Sequence, residues 1–174
     1  CGLTATGRAG TRTPARSGAA VGDRLWVVGT LGDSAAGLAQ LLDDPKATGP
    51  LVDIYRRPIP LLEAGRLLAT RATAMMDISD GLLLDAGRLA EASDCRAAID
   101  LDSLPLSKTF TAERGEGRAA RLFAATGGDD YALLAALPPE LDPKVTLSLP
   151  RELSIRAVGT LVAGRGLSLC DARG

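Results

Sequence analysis

The chain of 174 residues carries 20 Lys plus Arg against 21 Asp plus Glu and contains no histidine. The lack of histidine excludes Ser-His-Asp triads, Cys-His pairs and histidine-based zinc helices from this chain, so acid-base or metal chemistry falls to carboxylates, Arg, Lys, hydroxyls or cysteines. A net charge of -1 and 3% aromatic residues argue against a nucleic-acid partner, which favours a basic surface or several stacking rings.

The three cysteines are widely spaced and form no CxxC pair. This pattern predicts neither a disulfide framework nor a zinc knuckle, and it suits a reducing, cytoplasmic compartment. No run approaches the ~18 apolar residues of a membrane-spanning helix, so no membrane partner is expected. The 46% hydrophobic and 24% charged residues are typical of one globular domain with a real core.

The N-terminal part of the chain predicts a lead-in followed by a strand and a helix. Residues 1–24 are rich in Gly, Thr, Ala and Arg without a period, which indicates a loop or edge segment. The apolar run 25–28 predicts a buried strand. Helical spacing of apolar residues predicts a helix over 34–42, with Asp33 or Ser34 as its N-cap.

The rest of the chain mixes helical and strand patterns without strict alternation. This mixture predicts an α+β fold, a single mixed β-sheet packed with helices, over one domain of residues 1–174. In chain order we expect a connector (43–50), a helix (61–70), an apolar strand ending at residue 78, a helix (82–92), a strand (97–101), a loop (103–115), a helix (117–125), a strand (131–137), two further apolar runs (145–149 and 155–162), and a hairpin turn (163–166) into a last strand (167–170).

The densest polar cluster, Asp-Ile-Ser-Asp-Gly at 77–81, lies where the apolar strand gives way to a helix. Two carboxylates three residues apart, Asp77 and Asp80, could converge on one Mg²⁺ ion, and the helix N-terminus offers N–H groups to an anion. The alternative is structural: Ser79 or Asp80 caps the helix and Asp77 is a turn residue.

A second cluster, Gly-Gly-Asp-Asp-Tyr at 127–131, precedes an apolar strand. Because successive strand residues face opposite ways, Asp129 and Asp130 are expected to have different roles. The alternative is a helix stopped by glycine and followed by solvated acids. Tyr131 itself is expected to lie in the core.

Two weaker patterns precede these clusters. The glycine turn at 29–34 could cradle a phosphate, but it matches neither GxxxxGK[ST] nor GxGxxG, and plain connection is the favoured interpretation. Arg16 could bind phosphate oxygens through its guanidinium, although most arginines are solvated surface residues.

Taken in order, these stretches resemble the thiamine-monophosphate kinase family, within the superfamily of aminoimidazole-ribonucleotide synthetase-like ATP-binding enzymes. The Asp-x-Ser-Asp-Gly-Leu and Gly-Gly-Asp-Asp-Tyr stretches are the most diagnostic. The matching positions are 16–19 with 22–23, 29–38, 57–58, 76–82, 99–100 with 104–107, and 127–131.

The resemblance implies ATP-dependent phosphorylation of thiamine monophosphate to thiamine diphosphate with Mg²⁺. By position, Asp77 and Asp80 would hold Mg²⁺, Ser79 and Arg16 would contact ATP, and Asp129 would face the thiamine phosphate substrate. We expect direct in-line transfer without a phosphoenzyme, because the substrate phosphate is already a nucleophile. The family most often has Glu where this chain has Ala132, a local departure.

The resemblance covers only the C-terminal half of that family. Its N-terminal domain carries most metal-binding acids, the glycine-rich ATP segment, a substrate-facing histidine and the dimer contact, and nothing here matches that domain or the family's aromatic C-terminal tail. We therefore expect a cytoplasmic, homodimeric parent kinase and an inactive isolated domain. The alternatives are a related superfamily enzyme acting on a purine intermediate, selenide or a maturation partner, and a non-catalytic interaction module.

Overall fold

The computed structural model describes residues 4, 6, 12–150 and 152–171. Most of the first eleven residues of the predicted lead-in, and the last three of the chain, thus lie outside the described residues. Residues 12–23 form neither helix nor strand. Ala15 lies at the edge of the sheet, where its carbonyl accepts the N–H of Met75 at 2.9 Å, whereas Gly22 and Asp23 exchange backbone hydrogen bonds with Leu161 in the interior of the sheet.

The described residues form a single six-stranded mixed sheet, which confirms the predicted α+β class. Its order is β2-β4-β1-β5-β3-β6, and every neighbouring pair is antiparallel except the parallel pair of β3 and β6. The strands are β1 (Arg24–Val28), β2 (Ala74–Ile78), β3 (Arg96–Asp100), β4 (Ala132–Leu137), β5 (Ile155–Val162) and β6 (Gly166–Cys170).

The helices agree with the apolar periodicity wherever the pattern is long. Those predicted at 34–42, 61–70, 82–92 and 117–125 are confirmed to within about two residues. In the described part of the chain, no helix is long and apolar enough to cross a membrane. The helices are α1 (Asp33–Asp43), α2 (Pro50–Arg56), α3 (Leu62–Ala69), α4 (Leu82–Ala92), α5 (Lys108–Arg114), α6 (Arg118–Thr126) and α7 (Pro143–Thr146), with a 3-10 turn at Leu101–Ser103.

Three short helices were not predicted. The loop expected at 103–115 is wrong, because α5 lies inside it: the Ser107 hydroxyl accepts the N–H of Phe110 at 3.0 Å, and that ring is fully buried. One cap and one buried ring stabilise a helix too short to show a period. Helices α2 and α7 are likewise too short to show a period. Helix α2 begins at the last residue of the predicted connector, and α7 overlaps the start of the apolar run 145–149.

The hairpin predicted at 163–166 is also wrong. The chain turns there, but β6 does not pair with β5, because β3 lies between them. Arg96 of β3 is opposite Val162 on one side and Gly166 on the other. The turn crosses the start of β3, and Arg96 Nε donates to the carbonyl of Arg165 at 3.0 Å.

Both faces of the sheet are covered, which explains the uninterrupted apolar run of β1. Leu25 and Val27 belong to the larger core cluster, which α1, α4 and α6 share on one face. Trp26 and Val28 belong to a second cluster on the other face, beneath α3. Strands buried on both faces lose the alternation of apolar and polar residues. Polar function is therefore left to the loops at the strand ends.

Candidate functional site

The two most diagnostic motifs meet at one end of the sheet. Strands β2 and β4 are neighbours, with Ile78 opposite Ala132, so the loop leaving β2 lies beside the loop entering β4. The N–H of Asp129 donates to the carbonyl of Ser79 at 2.9 Å, and the N–H of Tyr131 donates to that of Ile78 at 3.0 Å. Motifs separated by about fifty residues thus form one backbone-linked site.

Glycine is needed where these loops touch. A Cβ atom on Gly128 would lie 2.7 Å from the carbonyl oxygen of Ser79. Gly81 has a φ of +97° and would place a Cβ atom 2.8 Å from the carbonyl oxygen of Thr126. Such contacts are closer than van der Waals separation allows, so the glycines in both motifs let the loops pack backbone on backbone.

The Tyr131 hydroxyl contacts one of the carboxylates predicted for the site, Asp129. That hydroxyl donates to Asp129 Oδ1 at 3.4 Å, and the Asp129 charge is the main cause that raises the pKa of Tyr131. Burial and the charges of Asp77 and Asp80 raise it further. Tyr131 was predicted to be a core residue, but it is 37% exposed, which corrects that interpretation.

The backbone at this point is in the left-handed region at two residues that are not glycine. Asp129 has a φ of +65° and Tyr131 a φ of +50°. Such conformations cost free energy and tend to occur where function needs a particular side-chain direction. Here they turn the Asp129 side chain out to solvent, while Asp130 is turned inward. The two acids thus have different surroundings, although both precede β4 and the backbone turn, rather than strand alternation, separates them; their different roles stay a prediction.

Asp130 caps the first helix from a distance of almost one hundred residues. Its carboxylate accepts the N–H of Gly32 at 2.7 Å and that of Ser34 at 3.2 Å. The N-cap position is Gly32, so the predicted capping by Asp33 or Ser34 is wrong. Burial, with smaller contributions from the charges of Asp33 and Asp129, raises the pKa of Asp130 to about 7, although its two backbone N–H donors lower it.

This capping also decides between the two interpretations of the glycine turn at 29–34. Because Asp130 already accepts the N–H groups of Gly32 and Ser34, they are not free to cradle a phosphate. The Asp33 carboxylate accepts hydroxyl hydrogen bonds from Thr30 and Ser107, each at 2.6 Å. The glycine turn at 29–34 is therefore a structural connection, which is the interpretation favoured from the sequence.

The helix after the 77–81 motif is not capped by Ser79 or Asp80 either. Its N-cap position is Gly81, without a side-chain cap. Instead, the fully buried Asp85 accepts the backbone N–H groups of Ser79 and Asp80, each at 3.0 Å. The side chains of Ser79 and Asp80 are therefore not used to begin α4.

Arg88 links the two acids of this segment. Its Nη1 atom donates to Asp85 Oδ1 at 3.0 Å and also to Asp80 Oδ2. These hydrogen bonds raise the pKa of Arg88 above its ordinary value, and the bond to Asp80 has a larger effect than the bond to Asp85. Sequence reasoning missed Asp85 and Arg88, since nothing in a helical stripe distinguishes a buried polar residue that contacts the preceding loop.

The donor set suits a magnesium ion better than a metal that needs a full protein cage. Within the described ranges, no group of three or more Cys, Asp or Glu side chains is arranged to hold a metal. Magnesium commonly takes one or two carboxylates and completes its shell with phosphate oxygens and water. The carboxylates of Asp77 and Asp80 are hard oxygen donors, so they fit that requirement.

A groove of about 1000 Å³ runs beside Asp77. Asp77 and Tyr131 lie in its wall, together with two arginines, Arg12 and Arg66. Most of the remaining lining is apolar: Pro14, Pro58, Pro60, Leu61, Leu62, Ala69, Met75 and Leu133. Such a surface could bind an apolar ring whose charged end reaches the carboxylate loops and their cation.

Arg16 lies away from the loops that carry the other predicted residues. Its carbonyl accepts the Ser93 hydroxyl at 3.3 Å, just beyond the C-terminal end of α4. Ser79 and Asp80 precede the opposite end of that helix, which is roughly 16 Å long at 1.5 Å per residue. The exposed guanidinium of Arg16 must therefore extend along α4 to share a ligand with them. Arg12, which the sequence did not single out, lines the groove directly.

Comparison with known proteins agrees with the fold. Residues 20–171 match the family described as AIR synthase related protein, C-terminal domain. The thiamine-monophosphate kinase of Escherichia coli (strain K12) is 42% identical over 142 residues, which cover 79% of this chain and 42% of that protein. The chain thus spans less than half the length of this relative.

Solved structures give the same result. The structure described as AaThiL complexed with AMPPCP and TMP superimposes with a TM-score of 0.77 at 34% identity, covering 91% of this chain and 50% of that one. The crystal structure of E. coli HypE gives a TM-score of 0.68 at 20% identity, covering 92% of this chain and 50% of that one, and shows a shared fold alone.

Proposed function

Because the chain belongs to the family of AIR synthase related protein, C-terminal domain, we propose that it forms half of the active site of a thiamine-monophosphate kinase. The reaction would transfer the γ-phosphoryl group of ATP to thiamine monophosphate and give thiamine diphosphate. The observation that carries this proposal is the joining of the 77–81 and 127–131 loops into one acidic site, in a chain 42% identical to such a kinase.

The substrates proposed here are supported by the ligands of a similar structure. AaThiL was solved with AMPPCP, an ATP analogue, and with TMP. In this chain the apolar groove beside Asp77 suits the rings of thiamine, and the exposed carboxylates suit a cation shared by two sets of phosphates. ATP and thiamine monophosphate are therefore the small-molecule partners that we propose.

The residues of the site divide into groups with separate tasks. Asp77 and Asp80 would hold Mg²⁺, while Ser79 and Arg16 would contact ATP. Asp129 would face the thiamine phosphate. When bound, Mg²⁺ supplies charge neutralisation and alignment of the phosphates. The left-handed backbone at Asp129 supports its assignment, because Asp129 is exposed there while the half-buried Asp130 turns toward Gly32 and Ser34.

Chemistry at this site needs no histidine. An oxygen of the thiamine phosphate attacks the γ-phosphorus, the bond from that phosphorus to the bridging oxygen of ADP breaks, and the electron pair leaves with ADP. The attacking oxygen is already ionised near neutral pH, so no general base is required in this half. We therefore infer direct transfer without a phosphoenzyme, and the complete lack of histidine in this chain is compatible with it.

The remaining parts of the proposal concern the complete enzyme. In it, a second domain of the kind that precedes this one in the family would supply the other metal ligands and the dimer contact. A cytoplasmic homodimer, without nucleic-acid or membrane partners, is the form that we propose.

The test is turnover by the complete gene product. Purified protein, ATP, Mg²⁺ and thiamine monophosphate should give thiamine diphosphate and ADP in equal amounts by chromatography. Thiamine in place of its monophosphate is the control acceptor and should give no product. A folded protein that forms no thiamine diphosphate would rule the proposal out, and ATP consumption with another acceptor would favour a different enzyme of the superfamily.

A further inference from the structure

We call residues 77–81, which carry the proposed magnesium ligands, the metal loop. One buried carboxylate contacts the backbone of this loop directly and is linked through an arginine to the side chain of Asp80. Asp85 is fully buried in the first turn of α4. Its Oδ2 atom accepts the N–H groups of Ser79 and Asp80, each at 3.0 Å, and its Oδ1 atom accepts Arg88 Nη1 at 3.0 Å. Three donors satisfy the buried anion, so the peptides on both sides of Ser79 are held in one orientation.

Arg88 is shared between a protected partner and an exposed one. The Asp85 side chain is 0% exposed, whereas the Asp80 side chain is 52% exposed and that of Arg88 is 40% exposed. Water can reach the pair with Asp80 but not the carboxylate of Asp85. An ion pair in water contributes little, whereas loss of a cation paired with a buried carboxylate is costly. The contact with Asp80 is therefore the one that can be exchanged.

We propose that Asp85 is a positioning residue for the magnesium-binding acid Asp80, and that Arg88 is an exchangeable counter-ion of Asp80. When a divalent cation binds Asp80, Arg88 releases that carboxylate and stays on Asp85. Without the cation, Arg88 neutralises Asp80 and reduces its repulsion with Asp77 and Asp129. This inference rests on the proposed function only in that Asp80 holds the metal.

The proposal predicts opposite effects for two neutralising substitutions. Asp85→Asn removes the anion that retains Arg88, so Arg88 competes harder for Asp80, and it weakens the hold on the loop amides. Metal affinity should fall about tenfold, the lower end of what loss of an outer partner costs. Arg88→Gln removes the competing cation, and affinity should rise about threefold, the effect of a modest surface ion pair. General damage to the fold would weaken binding in both variants.

The experiment measures binding of Mn²⁺ alone, as a magnetic probe, to the complete gene product by electron paramagnetic resonance. Asp80→Asn identifies the signal that belongs to the proposed site. Asp94→Asn is the matched control, since Asp94 lies just after the other end of α4 and pairs at 3.3 Å with Arg165, both side chains being more than 80% exposed. Asn also tolerates the φ of +51° at that position. This control should bind Mn²⁺ as the wild type does.

The outcomes are distinguishable from those of the proposed function. If Asp80→Asn removes the Mn²⁺ signal but Asp85→Asn and Arg88→Gln shift the affinity in the same direction, or by less than twofold, the inference is overturned while the metal site stands. If Asp80→Asn leaves the binding of Mn²⁺ unchanged, both this inference and the proposed metal site are overturned. If Asp85→Asn does not fold, Arg88→Gln decides alone: tighter binding supports the inference and weaker binding overturns it.

Discussion

At the scale of single residues, neighbouring acids have opposite environments. Asp129 is exposed beside the phenol of Tyr131, whereas Asp130 is turned inward against the first turn of α1. A charged carboxylate loses solvation when it is buried, and two backbone N–H donors offset only part of that loss. The adjacent pair thus places one acid at the site and the other in the scaffold that holds it.

Titration of Asp130 should make stability depend on pH. Its pKa rises from the ordinary 3.8 to about 7 on folding, so between these values the folded chain holds a proton that the unfolded chain releases. The contribution of this group to stability therefore falls as pH rises from about 4 to about 7. Asp130→Asn cannot titrate, so its free energy of unfolding should improve relative to the wild type across that interval.

Urea unfolding at several pH values between 4 and 8 measures this difference. The charges nearest to Asp130 are Asp33 and Asp129, which are unchanged in the variant. Asp94→Asn, at an exposed position, is the control and should follow the wild type. Parallel stability curves for wild type and Asp130→Asn would contradict the prediction.

Close backbone contact makes Gly128 sensitive to a single methyl group. A Cβ atom there would lie 2.7 Å from the carbonyl oxygen of Ser79, which cannot move without disturbing the metal loop. Gly128→Ala should lower the free energy of unfolding by about 1–3 kcal/mol, as other overpacking substitutions do. It should also weaken the binding of Mn²⁺ in the complete protein.

Gly87 gives a matched control for the same substitution. It lies inside α4, and a Cβ atom there would meet nothing within 4 Å. Gly87→Ala should therefore raise stability by roughly 0.5–1 kcal/mol, because alanine favours the helix. Equal effects of the two substitutions in urea unfolding would show that the contact at Gly128 is not limiting.

At the scale of elements, periodicity could predict the long helices and the paired strands but not the short pieces. Helix α4 shows an apolar stripe over three turns, and β1 is a bounded apolar run. Helix α5 has seven residues and one buried ring, which is too little for a pattern. Its formation depends on tertiary contacts that no local sequence contains.

The order of the strands in the sheet could not be predicted from the sequence, for a related reason. A four-residue turn between apolar runs is compatible with a hairpin or with two strands that flank a third. The insertion of β3 between β5 and β6 depends on pairing with a strand sixty residues earlier. Likewise, the motif predicted Asp77, Ser79 and Asp80. Asp85 became visible only through its contacts with the loop backbone, and Arg88 only through its ion pairs with Asp80 and Asp85.

The cap of α5 also supports the loop at the start of α1. The Ser107 hydroxyl accepts the N–H of Phe110 and donates to the buried carboxylate of Asp33 at 2.6 Å. Ser107→Ala should remove both bonds and cost about 1–3 kcal/mol, the sum of a lost cap and a weakened buried carboxylate. Thr111→Ala, whose exposed hydroxyl donates only to the carbonyl of Lys108, should change stability by less than about 0.5 kcal/mol. A loss below that limit for Ser107→Ala would show that α5 is held by Phe110 alone.

At the scale of the whole molecule, the sheet forms a double-sided core whose polar residues are placed at one end. Leu134 lies in one core cluster and Ala135 in the other, so the same strand supports both layers. The loop at 79–81 follows β2 and the loop at 127–131 precedes β4, and these strands are neighbours in the sheet. Because the sheet is rigid, a site built on these loops should keep its geometry without a ligand. The chain should therefore hold its half of a site even when it is separated from any partner domain.

This separation of folding from activity gives the last prediction. The isolated chain should unfold cooperatively on heating, since a domain of this size with two buried layers is sufficient for a stable core. It should nevertheless form no measurable thiamine diphosphate from ATP and thiamine monophosphate, because Asp77 and Asp80 supply only part of the ligand set for the Mg²⁺ that neutralises charge in phosphoryl transfer. Circular dichroism melting and the turnover assay on the same sample measure the two properties. Clear turnover by the isolated chain would contradict the assignment of half a site to it, and a non-cooperative melt would contradict the independence of its core.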